Sequence, residues 1–179
     1  YFQRVSGKIK GETITITGNI VSLIATEQSI TRVTVKNQAK LEKLTLSDNL
    51  ITEVLFEGDV APLQLLELNN NLLANSTENN PTLGLEIFAS TLANLNLSNN
   101  NLICLNIEQL VNLKELYVKN NPDFTSLFIA MPEESRMIEK IDLSNGQLSH
   151  FYPIYMPALT SLHLSDNVLM EDFVIDHYY

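Results

Sequence analysis

Leucine recurs along this chain in short bursts with one spacing. Segments 41–51, 63–73, 92–102 and 159–169 each read Leu-x-x-Leu-x-Leu-x-x-Asn-x-aliphatic, and weaker copies are centred on Leu23, Leu116 and Ile141. The first strand residues of the seven copies are Leu23, Leu44, Leu66, Leu95, Leu116, Ile141 and Leu162, whose successive differences are 21, 22, 29, 21, 25 and 21. The two long intervals hold polar, turn-forming insertions, 75–81 and 131–135. Between these copies runs a fainter pattern on Val33/Val35, Val54/Phe56, Leu85/Ile87, Leu105/Ile107, Leu127/Ile129, Phe151 and Phe173/Ile175. The unit is therefore two short extended segments joined by two turns. No helical spacing fills the return segment, so strands are expected there as well.

In Leu-x-Leu the two leucines share one face of a strand and the middle residue faces the other way. One unit alone cannot cover its leucines. Stacked units can, by forming a parallel sheet over a continuous apolar core. Five residues after each first strand residue stand Gln28, Asn49, Asn71, Asn100, Asn121, Gly146 and Asn167. A buried amide both donates and accepts hydrogen bonds. Amides at one fixed offset can therefore satisfy the turn backbone of adjacent coils, where unpaired groups are costly. This reading makes Asn49, Asn71, Asn100, Asn121 and Asn167 a structural ladder. Gly146 interrupts it, and Pro122-Asp123 is expected to distort the coil after Asn121.

These Leu-x-x-Leu-x-Leu-Ser-x-Asn-x-Leu runs resemble leucine-rich repeats. The short unit with two half-repeats is similar to the internalin-type and Bacteroidetes surface varieties, over about residues 11–175. The opening Gly11-Glu-Thr-Ile-Thr-Ile-Thr-Gly-Asn-Ile-Val-Ser-Leu23 is similar to the strand entry of such arrays. The resemblance implies an α/β-type leucine-rich-repeat solenoid, a right-handed superhelix rich in β-structure with little helix, whose parallel sheet lies on the concave face. Residues 11–179 form one domain of about seven coils in this reading. Residues 1–10 are set apart as an entry segment, because Tyr1-Phe2-Gln3 matches the end of a common tag-cleavage site. The resemblance also implies a bacterial, extracellular or cell-surface setting. No secretion signal opens the chain, as expected of a trimmed mature form.

The residues between the paired leucines form an outward column, Ile24, Thr45, Glu67, Asn96, Tyr117, Asp142 and His163. One flank is Ser22, Lys43, Leu65, Asn94, Glu115, Lys140 and Ser161. The other is Thr26, Ser47, Asn69, Ser98, Lys119, Ser144 and Ser165. Tyr117 is the expected anchor of a binding face, since tyrosine is enriched at interface hot spots. Glu67, Asn96, Glu115, Lys119, Lys140, Asp142 and His163 would supply polar specificity. An alternative apolar stripe lies on the return side at Leu55, Phe128, Tyr152 and Val174.

Composition narrows the choice of partner. With Lys+Arg 11 against Asp+Glu 21 the formal net charge is −10, and no basic cluster offsets it. Phosphate backbones are repelled, which argues against nucleic acid. No apolar run approaches the roughly 20 residues needed to span a bilayer. Cys104 is the single cysteine, so an internal disulfide and a multi-cysteine metal site are both excluded.

The sequence contains no nucleophile-elbow, phosphate-loop, zinc-protease or paired-cysteine motif. His163 beside Asp142 is the nearest approach to an acid–base or metal pair, and no third group stands in register with it. Asn75-Ser-Thr77 and Asn96-Leu-Ser98 match the glycosylation acceptor pattern, though a bacterial origin would make both incidental. The expectation is a non-catalytic module, monomeric and without cofactor or metal, that recognises a protein through the strand face. The alternative is a structural spacer or assembly segment within a larger surface protein.

Overall fold

The computed structural model describes residues 13–16, 20–58, 62–75, 81–129, 137–151, 156–170 and 172–173. Its main feature is a seven-stranded parallel sheet. In chain order the strands are β2 (Ser22–Ile24), β4 (Lys43–Thr45), β6 (Leu65–Glu67), β7 (Asn94–Asn96), β9 (Glu115–Tyr117), β11 (Lys140–Asp142) and β13 (Ser161–His163). The register joins Leu23, Leu44, Leu66, Leu95, Leu116, Ile141 and Leu162 in one row. The molecule is thus a parallel β-solenoid with almost no helix. Each three-residue strand turns its central residue inward. Leu44, Leu66, Leu95, Leu116 and Ile141 are fully buried, with Leu46, Leu68, Leu97, Val118 and Leu143 behind them. Burying one such side chain is worth about 1.5–3 kcal/mol, and each depends on the coil beside it for cover.

The return side is less regular. It has a three-stranded parallel sheet of β1 (Thr13–Ile16), β3 (Arg32–Lys36) and β5 (Glu53–Glu57). It also has the pairs β8 (Cys104–Asn106) with β10 (Ser126–Phe128), and β12 (His150–Phe151) with β14 (Asp172–Phe173). The Leu85/Ile87 pattern predicts a strand. A single 3-10 turn, Leu85–Phe88, stands there instead. Leu85 and Phe88 point inward at a spacing of three, and Ile87 is left exposed. That spacing, with Phe88 set edge-on to Phe56 at 4.7 Å between ring centroids, fills the core in place of strand alternation.

The amides are the second cohesive element. Asn49, Asn71, Asn100, Asn121 and Asn167 are all buried. Each Oδ1 accepts a backbone N–H from the preceding coil, respectively that of Ile30, Ile51, Leu73, Leu102 and Leu148, at 2.9–3.2 Å. Each Nδ2 donates back to the preceding coil as well, to the carbonyls of Ala25, Leu46, Leu68, Leu97 and Leu143 at 2.7–3.1 Å. It also donates to the carbonyl three residues earlier in its own coil. Leu46, Leu68 and Leu97 therefore each accept from two successive asparagines.

Gly146 stands where the next rung would fall, and the geometry explains why. After Asn121 the chain carries one extra residue, folded into a turn at Pro122–Asp123 in which Phe124 N–H donates to the Asn121 carbonyl at 3.0 Å. That turn satisfies itself, so no amide from the following coil is required. Phe124 is buried beneath it. A Cβ on residue 146 would meet Asn167 Oδ1 at 2.9 Å and the Phe124 carbonyl at 3.2 Å. The extra turn residue and the missing side chain are one structural adjustment.

Preceding every rung position is a residue in the left-handed region. Glu27, Asp48, Asn70, Asn99, Asn120, Asn145 and Asp166 have φ between 56° and 59°. Short polar side chains tolerate that backbone best, which accounts for Asp or Asn at six of the seven sites. Their exposed side chains also link coils: Asn70 donates to Asp48 Oδ1, Asn120 to Asn99 Oδ1 and Asn145 to Asn120 Oδ1, at 2.7–2.8 Å.

Candidate binding face

The outward face of the seven-stranded sheet assembles the sequence-derived columns in register. Ile24, Thr45, Glu67, Asn96, Tyr117, Asp142 and His163 are successive cross-strand partners. So are Ser22, Lys43, Leu65, Asn94, Glu115, Lys140 and Ser161. The third column behaves differently. Ser47, Ser98 and Ser144 are buried rather than displayed. They come directly after the second inward leucine, where the chain begins to turn. There the Ser47 hydroxyl donates to Asn69 Oδ1 at 2.8 Å, and that of Ser144 to Asp142 Oδ1 at 2.6 Å. Lys119 and Ser165 remain exposed.

The polar groups are not spread evenly. Toward the N-terminal edge Ile24 is exposed, and the Thr45 hydroxyl donates to Glu67 Oε2 at 2.8 Å. Asn96 turns its Oδ1 to the Ser98 N–H at 3.1 Å, so part of its polarity is spent locally. Charge is concentrated over β9 and β11. There the Tyr117 hydroxyl donates to Glu115 Oε2 at 3.1 Å, and Lys140 Nζ donates to Glu115 Oε1 at 2.8 Å. Lys119 Nζ lies 3.9 Å from Asp142 Oδ2.

This arrangement orders the titrations. The hydrogen bond from Lys140 holds the Glu115 carboxyl below its ordinary value, aided by Tyr117 and opposed by burial. Burial, and then the Glu115 carboxylate, push the Tyr117 hydroxyl up. The same carboxylate raises Lys140. Around neutral pH the three groups are therefore a carboxylate, a neutral phenol and an ammonium. The ring of Tyr117 is half-buried and held at its hydroxyl by Glu115.

His163 is exposed and is the cross-strand partner of Asp142. Asp142 Oδ1 is already occupied by the Ser144 amide and hydroxyl. Among the described residues no group of three His, Cys, Asp or Glu could hold a metal ion. Cys104 is buried, and burial raises its thiol above the ordinary value. No helix among the described residues is long and apolar enough to cross a membrane. Asn75 of the first acceptor pattern uses its amide structurally: Nδ2 donates to the Cys104 carbonyl at 2.8 Å, and Oδ1 accepts the Ile103 N–H at 3.1 Å. Of the return-side stripe, Leu55 and Phe128 are exposed, and Tyr152 and Val174 lie outside the described residues.

Sequence reasoning places the columns but misses two polar groups. Gln38 is a buried amide on the return side, donating to the Ile16 carbonyl of the preceding coil at 3.3 Å and to Lys36 O at 3.0 Å. It repeats the task of the asparagines two residues after β3, without a counterpart at fixed offset to reveal it. The left-handed Asp/Asn column is legible in principle, because an Asp or Asn precedes nearly every rung. Comparison with family models, with characterised proteins and with solved structures gives no match.

Proposed function

We propose that this chain is a leucine-rich-repeat module that captures a protein partner through the outward face of its seven-stranded sheet, with Tyr117 as the anchor. The supporting observation is the Glu115–Tyr117–Lys140 constellation. An aromatic ring presented at mid-sheet and fixed by its hydroxyl loses little freedom on binding, which lowers the entropic cost of association. Around it both signs of charge stand within a few residues, Lys119 and Asp142 beside Glu115 and Lys140. A partner with complementary charge would be oriented as well as held. Glu67, Asn96 and His163 extend the same column and would form the rim. The repeat resemblance supports an exported bacterial protein acting at a cell surface, with this face on the concave side of the array. No catalytic role is assigned to any residue.

The test is affinity capture from host-cell and cell-envelope protein preparations, comparing the wild-type chain with Tyr117→Ala/Lys140→Glu. A partner retained by the wild type should be lost from the double variant while its circular dichroism still reports the folded sheet. A partner retained equally by both would remove this face from consideration.

A further inference from the structure

We infer that Asn145 is a site of spontaneous covalent modification, an asparagine that converts to aspartate and isoaspartate in the folded chain and so loosens the last two coils with age. The chemistry is set by its neighbour. Asn145-Gly146 is the sequence's single Asn-Gly step. With no Cβ on residue 146 to hinder it, the Gly146 nitrogen can close on the Asn145 side-chain carbonyl. In that step the nitrogen loses its proton and bonds to Cγ, the Cγ–Nδ2 bond breaks, and Nδ2 leaves as ammonia with the proton. Water then opens the cyclic imide. Attack at the side-chain carbonyl gives aspartate, and attack at the main-chain carbonyl gives isoaspartate.

The column of left-handed residues supplies its own controls. Asn70, Asn99, Asn120 and Asn145 hold one place in successive coils, with φ of 56–57°. A left-handed backbone keeps the next nitrogen away from the side chain, so each must rotate its following peptide before it can react. In three of the four that peptide is anchored. Asn71, Asn100 and Asn121 are buried, and each side-chain amide is bonded both to the preceding coil and to its own. Gly146 has no side chain to hold it, and its N–H donates to no group among the described residues. Asn145 itself is exposed.

Either product disturbs the contacts between coils. Asn145 Nδ2 donates to Asn120 Oδ1 at 2.8 Å. Aspartate replaces that donor with a carboxylate oxygen, so two acceptors face each other. The new charge also stands in the same column as Asp166 of the next coil. Isoaspartate adds a carbon to the main chain between two backbone donors. These are the Asn145 N–H, bonded to the Ser165 carbonyl at 2.9 Å, and the Gln147 N–H, bonded to the Phe124 carbonyl at 2.8 Å. The two bonds tie this coil to its neighbours on either side, and the longer path puts them out of step.

The test incubates the whole chain in warm, mildly alkaline buffer, with and without guanidinium chloride. Each asparagine is followed by peptide mapping with mass spectrometry and by isoaspartate-specific enzymatic methylation. In buffer, Asn145 should convert at least tenfold faster than Asn70, Asn99 or Asn120, with isoaspartate among its products. Folding should slow Asn145 at least tenfold less than it slows the other three, which separates the missing anchor from the local sequence. The converted fraction, isolated by anion exchange, should unfold at a lower urea concentration than the parent. Asn145→Ser, which has no amide to lose, should keep its urea midpoint through the same incubation. Conversion no faster at Asn145, aspartate without isoaspartate, equal slowing at all four sites, an unchanged midpoint in the converted fraction, or an equal loss in Asn145→Ser would each overturn the inference.

Discussion

On the main sheet, strands from all seven coils pair without interruption, whereas among the described residues the return side is divided into β1-β3-β5, β8-β10 and β12-β14. Both sides are built from short extended segments with apolar residues facing inward. They differ in the turn at the end of each strand. On the main side an amide at constant offset spans to the preceding coil in five of the seven turns, and any slip in register would strand buried N–H and C=O groups. On the return side the amides of Gln38 and Asn75 bridge to a neighbouring coil, at no common offset. Insertions accumulate where nothing fixes the count, and there a 3-10 turn can replace a strand. Register in this molecule is held by buried amides as much as by leucines.

The contrast is sharpest in the core. Leu95→Ala should destabilise by about 2–5 kcal/mol, since its side chain is enclosed on every side. Val54→Ala, at a half-buried position of the return side, should cost about 1 kcal/mol or less. Urea unfolding measures both, and equal losses would contradict the difference drawn between the two sides. Next comes the ladder. Asn100→Ala leaves the Leu73 N–H without its partner and withdraws a donor from the Leu68 and Leu97 carbonyls, a loss of about 1–3 kcal/mol by the same measurement.

Restoring the consensus rung should fail. Gly146→Asn ought to lower stability by about 1 kcal/mol, because Phe124 and the Asn167 amide already occupy the space. A stabilised variant would show that the gap is a defect and not an accommodation.

The smallest effect concerns the charged cluster. Glu115 titrates below the ordinary carboxylate range, so its contribution to stability is present above that range and is lost as pH falls through the lowered value. Lys140→Met removes the leading cause. The Glu115 midpoint, tracked by carboxyl-carbon NMR, should move up toward the ordinary value, and the acid limb of the stability curve should shrink.

Much of this architecture is readable in the sequence because its determinants repeat. The Leu-x-Leu pairs and the asparagine offset recur often enough that seven strands, their register and the outward column come from counting. The features that are not readable occur once. Phe88 takes over an inward place because a particular insertion shifts the chain, and nothing local in Leu85-Glu-Ile-Phe distinguishes a 3-10 turn from a strand with Leu85 and Ile87 inward. Alternation places Ser47, Ser98 and Ser144 on the surface, but it ceases to hold where the strand bends into its turn. Tyr117 is legible as an aromatic on the outward column, but its ties to Glu115 and Lys140 depend on contacts along and across strands that spacing alone does not specify.

The bare position at Gly146 bears on how the molecule comes apart. Coils in such an array touch only their neighbours, so unfolding proceeds through the weakest junction. Of the six junctions between successive coils, only the one between the Asn121 and Gly146 coils lacks a buried bridging asparagine among the described residues. Hydrogen-exchange protection should accordingly step down beyond Phe124, with the last two coils opening together as a cooperative block while the first five stay closed.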